Sequence, residues 1–149
     1  MVSRYDGDAK RSVVEIVDLN DFSVIHSYSI DINKINSQAN TNKGEFKRLK
    51  IDNSPFRFQV THPLLLHDGS LVAHAIHAPL FKLDFCNNLL WINDDERYHH
   101  SNNIDHQGNI WVPSQMLPYS KTMQNYKRGT GLIDDAITKI SADGNMLYQ

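Results

Sequence analysis

The chain has 149 residues, 40% apolar and 21% charged, with a net charge of −2. This suits one globular domain and excludes a disordered chain. The near-neutral balance gives no bulk attraction to nucleic acid, and no apolar run approaches the length of a membrane span. The single cysteine, Cys86, excludes an internal disulfide, and the charged stretch from Met1 to Glu15 has no apolar h-region, so no signal peptide is visible.

Taken in order, Ser12 to Asp18 is β-branched and reads as a strand, Leu19-Asn20-Asp21 as a turn, and Phe22 to Ile30 as the return strand. Residues 31–57 are rich in Asn, Lys, Ser and Gln and read as a long insertion with one or two weak helical turns, one of them from Glu45 to Ile51. Lys43, Lys47, Arg48 and Lys50 form the one local basic cluster, best read as a solvated face. Phe58 to Leu66 is an apolar strand, His67-Asp68-Gly69-Ser70 turns it, and Leu71 to Ile76 returns. Leu80 to Asp84, a turn at Phe85 to Asn88, and Leu89 to Ile92 form the next hairpin. Asp94-Asp95-Glu96 reads as a polar connection. Tyr98 to Ser114 then brings two adjacent histidines, a turn at His106 to Asn109, and Ile110-Trp111-Val112 leaving it. Residues 116–133 read as a second long loop. Ala136 to Ile140, a turn at Ser141 to Gly144, and Asn145 to Gln149 close the chain.

Two kinds of hairpin alternate. In the first, a histidine begins a strand that reaches a glycine turn: His62 with Gly69, and His100 with Gly108. In the second, a Lys-bearing apolar strand turns at Asn or Gly and returns aromatic: Leu80-Phe81-Lys82-Leu83 to Trp91 matches Ile137-Thr138-Lys139-Ile140 to Tyr148. Val14 to Asp18 is a partial copy. Two hairpins make a four-stranded unit, and repetition of such a unit at roughly 40 residues marks a β-propeller blade. The expected fold is therefore all-β. It is a single incomplete propeller domain over 1–149, holding about two and a half four-stranded antiparallel blades, with loop insertions at about 31–57 and 116–133. Such a chain is expected to be a piece of a longer protein, cut at both ends.

The first strand of each blade lines a propeller's channel, so His62 and His100 are expected to converge at one mouth. Imidazole titrates near neutral pH and can take up a transferred group covalently. Asn102 shares a face with His100 and can donate to an anionic oxygen. His74 and His77, three apart, would point to opposite faces of a strand, as would His99 and His100. No carboxylate or cysteine completes a zinc pattern, so metal is not expected. Strand-end and turn histidines such as His26, His67 and His106 are ordinary hydrogen-bonding groups. A solvated surface is the simplest reading of Arg97, Lys127 and Arg128.

YHHSNNIDHQGNIWVPS, the preceding HPLLLHDGSLVAHAIHAPLFKLDFCNNLLWIND and the closing DDAITKISADGNMLYQ together resemble bacterial arylsulfotransferases of the arylsulfate sulfotransferase type. The resemblance covers most of the chain apart from 31–57. It implies a six-bladed propeller, an exported or periplasmic location, and no cofactor. It also implies transfer of a sulfuryl group from an aryl sulfate donor to a phenolic acceptor through a sulfohistidine intermediate. Residue by residue, His100 matches the family's channel histidine and is the expected catalytic residue; His62, Asn102 and His99 are expected to bind substrate. The family's nucleophile sits in a Gln-His element, and no Gln-His pair occurs in this sequence, so the nucleophile is expected outside it. The alternative is a non-catalytic propeller that binds a protein or glycan through 31–57 and 116–133.

Overall fold

Four turns of one design set the strand pairing. The computed structural model describes residues 1–40, 46–116, 120–124 and 134–149. At Leu66–Ser70, Asp84–Asn88, Asp105–Asn109 and Ser141–Asn145 the fourth residue donates its N–H to the first residue's carbonyl, and the first donates to the fifth. This is a short hairpin loop closed by a left-handed residue. The fourth residue is Gly69, Asn87, Gly108 and Gly144 in turn, each with φ between 69° and 85°. The first side chain then caps the turn: Asp84 accepts from Asn88 N at 2.8 Å, Asp105 from Asn109 N at 2.9 Å, and Ser141 from Asn145 N at 3.1 Å. A DG, NN or GN pair after an apolar run is thus spent on the same geometry each time.

The strands between these turns are antiparallel. β1 (Val2–Asp6), β2 (Arg11–Val17) and β3 (Val24–Ser29) form a three-stranded sheet. β4 (Thr61–Leu65), β5 (Leu71–His74), β6 (Ala78–Leu83) and β7 (Leu89–Tyr98) run as a meander. β8 (Asn103–Ile104), β9 (Ile110–Gln115), β10 (Asp135–Ile140) and β11 (Met146–Tyr148) form a second four-stranded unit. The two units join where Arg97 and Tyr98 of β7 pair with Gln115 and Ser114 of β9. The all-β expectation holds, and neither sheet closes on itself among the described residues.

Alternation along β5 and β6 gives the middle unit two buried faces. Leu71, Ala73, Phe81 and Leu83 pack with Val14 and Tyr28 of the first sheet. Val72 and Leu80 face the other way, onto Ile110, Val112 and Ile140 of the last unit. Each such side chain contributes about 1.5–3 kcal/mol. Trp91 of β7 donates Nε1–H to Ala142 O at 3.0 Å, and Asn93 donates to Gly144 O at 2.8 Å, so the middle unit grips the last turn.

Four sequence expectations need correction. β1 was not legible, because VSRYD has neither strict alternation nor a core face; all but one of its residues are exposed. Asp94-Asp95-Glu96 is no connection but part of a ten-residue strand, whose pairing with β6 shifts register between Ala78 and Leu80. β9 runs through Pro113 to Gln115; the proline ring pairs opposite Ile137, and its carbonyl accepts from His99 N at 3.1 Å. Finally, the 31–57 insertion is packed: α1 (Ile32–Gln38), capped by Asp31, and α2 (Leu49–Asp52) bring Ile32, Ile35, Phe46, Leu49 and Phe58 into the first core. Asn36 and Asn53 hold the helices together. Glu45 and Lys43 lie outside the described residues, as does most of the 116–133 loop, including Lys127 and Arg128. Of that loop only Met116, Ser120 and α3 (Lys121–Gln124) are described.

A Cβ on Gly144 would stand 2.6 Å from the Trp91 ring, at a φ of 85°. Gly144→Ala therefore meets both a clash and a left-handed backbone. Urea unfolding should show a loss of more than about 1–2 kcal/mol.

Candidate functional site

The end of the sheets away from those four turns gathers His62, His74, His77, His99 and His100. Register places Thr61 opposite His74, Ala78 opposite Tyr98, Arg97 opposite Gln115, and Gln115 opposite Asp135. The Ala75–His77 link and the His99–Asn102 link cross this end, so residues far apart in sequence meet there.

His74 is fully buried, and its Nδ1 lies 2.9 Å from Ala75 O. A carbonyl only accepts, so Nδ1 carries the proton and Nε2 keeps a bare lone pair. Nε2 is buried without a partner among the described residues. Burial first, with the nearby His99 ring adding to it, lowers the His74 pKa to about 4 against the opposing pull of Ala75 O, the Asn102 side chain and the His100 backbone. His74 is therefore a neutral imidazole at pH 7. His77 is shifted down as well, by burial first and by the Arg97 charge next.

His99 is buried, with Nε2 3.2 Å from Asp135 Oδ1. Its ring meets His100 edge-on at 4.6 Å and tilts toward His77 at 5.5 Å. His100 and His62 are exposed, and Asn102 donates Nδ2–H to His62 O at 3.2 Å, tying the starts of β4 and β8 together. His62, His77 and His100 have φ of 43°, 57° and 61°. Left-handed backbone costs a side-chain-bearing residue about 1–2 kcal/mol, and such strain gathers at functional sites.

The expected residues His62, His99, His100 and Asn102 thus lie at one end of the molecule. His99 is directed to Asp135, while His100 stands open to solvent. His74, His77, Arg97 and Gln115 join them, although sequence reading set the first three aside. The strand rule separated His74 from His77, but β5 ends at His74 and the chain bends before His77, so the rule does not apply. Buried orphan atoms mark the same place: His74 Nε2, His77 Nδ1, Arg97 Nε, Asn102 Oδ1 and Gln115 Oε1 have no partner among the described residues. Orphans are rare in a folded chain, and these five fall at one end, where ordered water or a ligand would satisfy them. No group of three His, Cys, Asp or Glu among the described residues is placed to hold a metal ion. His26 lies elsewhere, stacked on Phe85 at 3.8 Å.

No family model, curated protein or solved structure matches the chain.

Because His74 binds its proton more weakly folded than unfolded, the unfolded state takes up more protons between about pH 6.5 and 4. Stability is then full above the unfolded value and falls as pH drops through this window, by on the order of 3 kcal/mol for a shift to about pH 4. Urea midpoints measured across this range should fall in the wild type. The fall should be shallower in His74→Gln; equal slopes would contradict the buried neutral imidazole.

Proposed function

We propose that the chain is part of an exported arylsulfotransferase and that its three stacked strand units are successive blades of a β-propeller. The reading is supported by the repeated turn, by the middle unit's two buried faces, and by the resemblance of the His-His segment. The single observation that carries it is the gathering of His62, His74, His77, His99, His100 and Asn102 at one sheet end.

The chemistry asks for two things that this end offers. A sulfuryl group carries negative charge on three oxygens, and Asn102, His99, His100 and Arg97 bring N–H donors to one region. A phenol that attacks or leaves must lose or gain a proton, and an imidazole beside it can move that proton. In the first half-reaction a histidine nitrogen forms a bond to sulfur as the S–O(aryl) bond breaks, and the departing phenolate takes a proton. In the second, the acceptor phenol gives up its proton and its oxygen displaces the histidine nitrogen. That nucleophile lies in a Gln-His element outside this sequence, and His100 contacts the sulfuryl group.

The test is steady-state kinetics of the complete gene product with 4-nitrophenyl sulfate and phenol. Parallel double-reciprocal lines are expected, with turnover reduced about 100-fold or more in His100→Ala. Full activity in that variant would remove His100 from the site. Intersecting lines, or no transfer at all, would remove the sulfohistidine mechanism.

A further inference from the structure

A cleft of about 290 Å³ opens beside the histidines, between the helical insertion and the sheet end. Leu49, Asp52, Asn53 and Arg57 line one side, and Ile76, His77, Ala78 and Arg97 the other. The helical insertion supplies one whole wall of this cleft.

Its charges do not cancel. Asp52 is engaged by Arg57 at 3.5 Å and by Arg48 at 3.7 Å. Arg97 forms no ion pair among the described residues, and its Nε is buried there with no partner. A ring nitrogen of His77, Nδ1, is in the same condition. Asn53 is not available, since its side chain is bonded to Asn36. A buried guanidinium nitrogen without an acceptor is costly to leave so, and the group that satisfies it best is a planar carboxylate, which accepts side by side from the guanidinium fork.

The rest of the wall is apolar. Leu49 and Ala78 are buried there, and Ile76 stands 63% exposed at the rim. An isoleucine held open beside a left-handed His77 presents a flat apolar surface that a ring can cover. The volume admits one ring with its acidic group and excludes a nucleotide.

We propose that this cleft binds a small aromatic carboxylate, with the carboxylate on Arg97 and His77 and the ring between Leu49 and Ile76. The cleft shares His77 and Arg97 with the histidine end of the sheets, but its assignment to a carboxylate does not rest on sulfuryl transfer. Benzoate has neither a sulfuryl group nor a hydroxyl, so its binding tests the cleft whatever the outcome for transfer.

The experiment is a titration of the chain with benzoate, followed by amide shifts in the ¹H–¹⁵N spectrum, with benzyl alcohol as the neutral counterpart. Benzoate should shift the amides of Ile76, His77, Ala78 and Arg97. Benzyl alcohol and the Arg97→Gln variant should each show affinity about tenfold lower or worse. Ile76→Glu changes an exposed position, leaves the fold intact, and should abolish binding by putting a carboxylate at the rim. Equal affinity for the two ligands, unchanged affinity in a folded Arg97→Gln, retained binding in Ile76→Glu, or no shifts at these amides would each overturn the proposal.

Discussion

The central strands β5 and β6 are buried on both faces, and everything else is placed by that. A sheet with one wet face needs polar residues at every second position, whereas one covered twice reads as a near-continuous apolar run. The stretch from Leu71 to Leu83 satisfies the second condition. Leu71 and Ala73 serve the first core while Val72 and Leu80 serve the second. Because both neighbours lie against one sheet, their strand ends are brought level, and the histidines at those ends meet. The polar exception proves informative: Lys82 sits within this sheet and reaches Asp68 at 3.6 Å in the turn below. The last unit repeats the arrangement with Lys139 on Asp105 at 3.1 Å.

The two ends of the sheets divide the work. At the turn end most polar side chains find partners in the chain, although His26 Nε2, stacked beside Phe85, has none among the described residues. Asp105 accepts from Asn109, Trp111 and Lys139, and although partial burial opposes it, those bonds hold its carboxyl well below the usual carboxylate range. At the histidine end the opposite holds. Polar atoms are buried without partners, and three histidines occupy left-handed backbone. The unpartnered polar atoms are thus concentrated at the histidine end. The histidine cluster and the Arg97 cleft adjoin and share His77. The first gathers ring nitrogens on the sheet end, while the second needs the packed insertion for one of its walls.

Local rules carried the reading where local chemistry decides the structure. DG, NN and GN pairs after apolar runs marked the turns, and the alternation of two hairpin kinds marked the repeat. The histidines His62, His99 and His100 were legible because their positions follow from strand ends. Tertiary context decided the rest. VSRYD forms a strand only because β2 offers it an edge. Asp94 to Glu96 stay in a strand because neighbouring backbone pairs with β7 at both ends. The polar 31–57 segment conceals its role because its apolar residues are unevenly spaced, yet Ile32, Ile35, Phe46 and Leu49 reach one core. His74 escaped notice because its isolation arises from burial, which no spacing reveals.

Amide hydrogen exchange tests the central role of the doubly covered sheet most directly. Amides of β5 and β6 should be the slowest in the protein and should exchange only through global unfolding, while β1 and β11 exchange much faster through local opening. If β5 and β6 exchange as fast as those outer strands, the middle sheet is not the platform on which the histidine end is built.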